Sequence, residues 1–203
     1  MTIQNIYWKV AKDRLWDSSD IASSVPVLQL NLVNVYVEGG SQAITCPTTV
    51  SFVLNMVDSE FVNNMNNSAG DGGVIGMTLP ANGFLNWTVT NCTFKGNTAT
   101  RNGGVATITA GTSGNSTLNV QITDVVSDGN VALAGGFLYL APSAYSFAHV
   151  HINNLTLRNG GSNAFLNYQH VVSTLFNLVI DGSQMYSNNG NSSGLISLTQ
   201  NFE

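Results

Sequence analysis

Charge is scarce in this 203-residue chain: six Lys and Arg and eleven Asp and Glu make up 8% of it, against roughly 25% in an average soluble domain. The cations Lys9, Lys12, Arg14, Lys95, Arg101 and Arg158 are scattered. Without a basic stripe there is nothing to neutralise phosphates, so nucleic acid and anionic membranes are excluded as expected partners. No apolar run approaches the roughly 20 residues that span a bilayer, so the segment is not expected to insert into a membrane. The opening MTIQNIYWKVAKDRL lacks the apolar h-region of a secretory signal, which leaves an intracellular protein or a piece of something longer. Only two cysteines occur, Cys46 and Cys92, and neither has the CxxC spacing of a zinc or redox motif.

With so little charge, surface polarity must come from Asn, Ser and Thr. Together with Gly these residues disfavour helix interiors, whereas the many Val, Ile, Phe and Thr suit strands. The chain is expected to be all-β.

A repeat organises it. The pattern apolar-x-Asn/Asp-x-x-apolar fits around Asn5, Asn34, Asp58, Asn91 and Asn154, and fits around Asp124 and Asp181 with the last apolar residue displaced by one. The copies lie 24 to 33 residues apart and fill residues 1–203, which reads as one domain. Counting back two, four and six residues from this column gives Leu32/Leu30/Leu28, Met56/Leu54/Phe52, Val89/Trp87/Leu85, Ile122/Val120/Leu118 and Ile152/Val150/Ala148. The residues between them are almost all polar, the period-2 alternation of a strand with one buried face. Trp87 is therefore expected inside and His151 on the surface. The weak point is TLFNLVID, where strict counting from Asp181 puts Asn177 inside and Phe176, Leu178 and Ile180 outside.

Glycine pairs at Gly72-Gly73, Gly103-Gly104 and Gly135-Gly136 each introduce a second short strand. No such unit can bury its apolar face alone, but stacked units make a continuous core. Equivalent strands then pair in parallel from coil to coil, and the chirality of parallel crossovers favours right-handed winding. The expected fold is a single-stranded right-handed parallel β-helix of about seven coils.

The stretches CTFKGNTATRNGGVATI and SEFVNNMNNSAGDGGVIGM resemble the FxxN and GGA[I/L/V] repeats of polymorphic outer-membrane proteins, and similar repeats occur in surface β-helices of the pectin-lyase-like type. Phe61/Asn64 and Phe94/Asn97 match FxxN, and Tyr186/Asn189 matches loosely. The pairs Gly39-Gly40 and Gly160-Gly161 depart from the pattern, because they follow the Asn/Asp column too soon. The resemblance implies a fold and says little of chemistry.

Candidate chemistry is thin. Calcium needs six to eight converging oxygens, whereas Asp58, Asp124 and Asp181 sit at least one coil apart. The column reads instead as a structural ladder of turn residues that accept left-handed backbone. Glycoside hydrolysis needs paired carboxylates about 5–9.5 Å apart, and the outward rows ahead of the column contain none. His149 and His151 share a face, but a third zinc ligand is missing. GxSxG and a P-loop lysine are absent. No catalytic residue, metal or cofactor is assigned.

Six N-x-S/T sequons occur. Asn66, Asn115 and Asn191 are placed in polar turns and Asn86 on an outward strand face, so these four are the glycosylation candidates. Asn91 and Asn154 belong to the ladder. Cys46 and Cys92 fall at different corners of coils two steps apart. That is too far for a disulfide, so both are expected unpaired, with Cys92 buried.

The functional expectation is a non-catalytic structural or adhesive segment of a longer extracellular or cell-surface chain. Its expected partners are further coils, copies of itself end to end, and glycans. The alternatives on the same fold are a carbohydrate-active enzyme, a polysaccharide lyase or glycoside hydrolase, and a carbohydrate-binding module.

Overall fold

The computed structural model describes residues 1–9, 15–17, 27–45, 51–66, 70–110, 115–141, 147–161, 166–171, 175–186 and 196–201. Every regular element among them is a β-strand. The strands stack in parallel into a β-solenoid. A long sheet carries Thr2–Lys9, Val27–Glu38, Ser51–Val57, Phe84–Thr90, Thr117–Asp128, Phe147–Arg158 and Leu175–Asp181 in sequence order. The short strands Glu60–Val62, Thr93–Lys95 and Gln184–Tyr186 extend it past a bend. A second wall is built from Trp16–Asp17, Ile44–Thr45, Ile75–Leu79, Ala106–Ala110, Leu138–Ala141, Leu166–Val171 and Ile196–Asn201. The pair Met65–Asn66 and Thr98–Ala99 makes a small third face.

The inward columns match the period-2 reading. Leu30, Leu54, Trp87, Val120 and Val150 lie in register and are buried, as are Leu32, Met56, Val89, Ile122 and Ile152. Trp87 is 1% exposed and donates its indole N–H to Met56 Sδ at 3.3 Å, while His151 is exposed. The fully buried core runs from Leu30 to Tyr168, about five turns rather than the seven expected. The first and last strand pairs contribute only half-buried apolar residues such as Ile3, Trp8, Leu178 and Met185.

The glycine pairs are fixed by the stacking. Gly72 has φ +73°, and a Cβ there would collide with the Ile75 carbonyl of its own turn. At Gly73 a Cβ would collide with the Gly104 carbonyl of the next coil. The first glycine is therefore required by its backbone and the second by its neighbour.

The last long strand corrects the sequence reading. Ala148 pairs with Phe176, Val150 with Leu178 and Ile152 with Ile180. Phe176, Leu178 and Ile180 pack on the core and Asn177 is exposed. Asp181 pairs with Asn153, so the residue in line with Asn154 is Gly182, which has φ +56°. Asp181 is not a rung of the ladder. Glycine had replaced the Asn/Asp signal there, and counting from the neighbouring Asp181 slipped the register by one.

Candidate functional site

The site is built on the bend of the long sheet. Asn5, Asn34, Asp58, Asn91, Asp124 and Asn154 all have φ between +50° and +54°. Among side-chain-bearing residues only Asn and Asp visit this conformation routinely, which is why the column admits little else. Neighbouring rungs are joined in pairs: Asn34 Nδ2 donates to Asn5 Oδ1 at 2.8 Å, Asn91 Nδ2 to Asp58 Oδ1 at 2.7 Å, and Asn154 Nδ2 to Asp124 Oδ1 at 2.6 Å.

Two residues past the bend, the outward row begins Tyr7, Tyr36, Glu60. The rings of Tyr7 and Tyr36 stack with centroids 4.6 Å apart and planes 2° from parallel. Tyr36 donates its hydroxyl hydrogen to Glu38 Oε2 at 3.2 Å, and Lys9 Nζ lies 3.2 Å from the same oxygen. Between the tyrosine row and the ladder lies a shallow cleft of about 350 Å³, lined by Asn5, Ile6, Tyr7, Asn34, Val35, Tyr36, Asp58 and Glu60. Tyr7 is 66% exposed.

Of the two carboxylates of this cleft, Asp58 was legible as a ladder rung and Glu60 was not, because it lies beyond the bend rather than in the rows ahead of the ladder. Glu38, Glu60 and Asp128 all stand beyond the bend. The signal was available: the positions two and four residues past each rung form rows of their own. The second of these rows is a run of charges, Lys9–Glu38 near one end and Lys95, Asp128 and Arg158 further along. Arg158 Nε lies 3.0 Å from Asp128 Oδ2. The Asn159 amide, donating at 2.7 Å, and the Arg158 guanidinium together hold the Asp128 carboxyl below its ordinary value.

A buried ladder runs six residues past the bend, and it explains the FxxN motif. Asn64, Asn97 and Asn130 are at most 2% exposed. The Asn64 backbone N–H donates to Asn97 Oδ1 at 3.0 Å and the Asn97 backbone N–H to Asn130 Oδ1 at 2.9 Å. Each Nδ2 reaches back one coil, from Asn97 to the Phe61 carbonyl and from Asn130 to the Phe94 carbonyl, both at 2.9 Å. Asn130 was missed because Ser127 stands where its motif phenylalanine should be. The misplaced glycines also fall into line. Gly39, Asn63, Gly96, Gly129 and Asn159 form a second column of positive φ, one residue ahead of the buried asparagines. Gly40 then meets the buried column end-on and donates its N–H to Asn64 Oδ1 at 3.1 Å.

The remaining candidates separate clearly. Asn66 does not lie in an open turn: it is 8% exposed, on the strand Met65–Asn66, and its Nδ2 donates to the Asp71 carbonyl at 2.7 Å. A glycan on that nitrogen would have to displace the bond and the packing. Asn86 is partly buried on the outward face, with its Oδ1 accepting from Asn119 Nδ2 at 2.9 Å. Asn115 is exposed, and its backbone N–H donates to Asn82 Oδ1 at 3.0 Å. Asn191 and Cys46 lie outside the described residues. Cys92 is a free, buried thiol that donates to the Thr90 carbonyl at 3.3 Å, and burial pushes it up to about 11. His149 and His151 stand in adjacent outward rows, and among the described residues no three His, Cys, Asp or Glu side chains converge.

No family model, curated protein or solved structure matches the chain.

Proposed function

We propose that this is a non-catalytic structural or adhesive β-helix segment of a secreted or cell-surface protein, in which the repeat unit is that of polymorphic outer-membrane-type surface β-helices. The observation that carries the reading is the buried Asn64–Asn97–Asn130 ladder on FxxN positions. It ties coil to coil through satisfied amides, as a rod that transmits force requires. The outward face favours the same reading. Asn31, Asn55, Asn86 and Asn119 present short amides that bond along the axis, Asn55 Nδ2 to Asn31 Oδ1 at 2.8 Å and Asn119 Nδ2 to Asn86 Oδ1 at 2.9 Å. Such a face holds itself flat and uncharged. The partners of this reading are further coils, copies stacked end to end, and glycans on Asn86 or Asn115.

The test is expression of the chain on a bacterial surface between an export signal and an outer-membrane anchor. The reading expects display of a protease-resistant rod that raises attachment to epithelial or matrix-coated surfaces above an anchor-only control. Turnover of a polygalacturonate or glucan panel by the purified chain, abolished by a single acidic substitution, would contradict it.

A further inference from the structure

We propose that the cleft beside the stacked pair Tyr7 and Tyr36 is a binding site for a guanidinium group, the arginine side chain of a basic peptide. The lining is short of donors and long on acceptors. Of the two lining asparagines, Asn34 commits its Nδ2 to Asn5 Oδ1, and Asn91, one rung beyond the cleft, commits its own to Asp58 Oδ1. Facing the cleft are the carboxylates of Asp58 and Glu60 and the tyrosine rings. Among the described residues neither carboxylate has a cationic partner, whereas Glu38 holds Lys9, Asp71 faces Arg101 and Asp128 holds Arg158. Lys9 is already engaged by Glu38, and Lys95, one coil on from Glu60 and two residues past its partner Thr93, stands in register with Asp128.

Two uncompensated carboxylates beside aromatic faces select a cation, because ring faces carry negative quadrupole potential. A planar fork of five N–H donors suits this surface better than a compact ammonium: it can lie against the ring of Tyr36, on the side away from Tyr7, while donating to Glu60 of the next coil. Tyr36, its hydroxyl tied to Glu38 and its other face covered by the parallel ring of Tyr7, presents a fixed platform. The cleft volume of about 350 Å³ is at the small end of ligand pockets, sized for one side chain rather than a polysaccharide. The inference needs the fold but not the stalk reading, so either can fail alone.

The experiment is a ¹H–¹⁵N NMR titration of the whole chain at low salt with tetra-arginine, tetra-lysine and a neutral glucan hexasaccharide. Tetra-arginine is expected to shift the amides around Tyr7, Tyr36 and Glu60 saturably, with tetra-lysine weaker and the hexasaccharide silent. Tyr36→Ser should weaken tetra-arginine about 2–5-fold, the worth of one exposed cation–π contact. Asp58→Asn combined with Glu60→Gln should weaken it at least about tenfold, since it removes both charges that assist the bonds. That double variant keeps the fold, because Asn already occupies the same rung at Asn34 and Asn91; an unchanged thermal midpoint checks it. The proposal is overturned if tetra-arginine leaves those amides unmoved, if the double variant binds as the parent does, or if the hexasaccharide is what moves them.

Discussion

Phe137 meets Phe94 edge-on inside the solenoid, with centroids 5.9 Å apart and planes at 75°, although the two come from opposite walls of adjacent coils. Phe61 and Phe94 stack at 5.4 Å in their own column, and the next member of that column is Ser127. The ring missing at Ser127 is supplied by Phe137, which stands where the other coils have Val74 and Val105. Phe137→Val should therefore cost about 2–4 kcal/mol through the cavity it leaves. Ser127→Phe alone should cost about 1–3 kcal/mol by overpacking. Combined, they should cost less than the sum, because each fills the other's defect. Urea unfolding of the three variants checks this, and strict additivity would mean the two sites do not share a space.

Asn97 is a member of the buried ladder whose removal strands several groups at once. Asn97→Ala deprives the Asn64 backbone N–H and Nδ2 of their acceptor and the Phe61 carbonyl of its donor. At about 1–3 kcal/mol for each buried group left unpaired, the loss should be at least about 3 kcal/mol in denaturant unfolding. Asn86→Ala, on the outward face, should stay within about 0.5 kcal/mol. Similar losses at the two positions would contradict the buried ladder.

The sequence carried the fold in its periodicities and lost it where one residue type could stand in for another. The columns from Leu30 to Val150 were legible because burial of one strand face forces alternation. The bend was legible at Asn5 to Asn154 because few residues accept a left-handed backbone. It was lost at Gly182, where glycine meets the same conformational demand with a different letter. The second bend was hidden for the same reason, since its column mixes Gly39, Gly96 and Gly129 with Asn63 and Asn159. Of the cleft, only Asn5, Asn34 and Asp58 were legible. Tyr7, Tyr36 and Glu60 come together through the bend, and no local pattern announces them.

Gly182 offers a direct repair. A Cβ built there meets nothing closer than Asn153 Oδ1 at 3.6 Å. Gly182→Asn should restore a rung above Asn154 and stabilise the chain by up to about 1 kcal/mol, partly by restricting the unfolded state. Gly182→Val should destabilise it by about 1–2 kcal/mol, because a β-branched residue resists positive φ. Thermal unfolding distinguishes them. Equal midpoints for the two variants would place the rung elsewhere.

Asp128 ties stability to pH. Its folded value lies below the ordinary 3.8, so the stability it contributes is complete above that value and is lost as acid carries the pH down through the folded value. Asp128→Asn should thus be less stable than the parent near neutrality and converge with it in strong acid. Acid titration of the unfolding midpoint for both proteins tests the sign. A gap that widens on acidification would refute the assignment.

The stacking itself is the claim on which everything else rests. Asn31, Asn55, Thr88, Gln121 and His151 occupy one outward row in successive coils. Spin labels at Asn31→Cys and His151→Cys probe it directly, in a chain whose Cys46 and Cys92 are replaced by serine. Serine suits the Cys92 position, since Ser59 and Ser183 occupy the same place in their coils and bond the backbone likewise. Four coil steps of about 4.8 Å put the two backbones about 19 Å apart, although 120 residues of chain separate them. Dipolar electron resonance should give a narrow distribution centred near about 19 Å, widened only by the label arms. A broad distribution, or one centred beyond about 30 Å, would contradict the stacked solenoid.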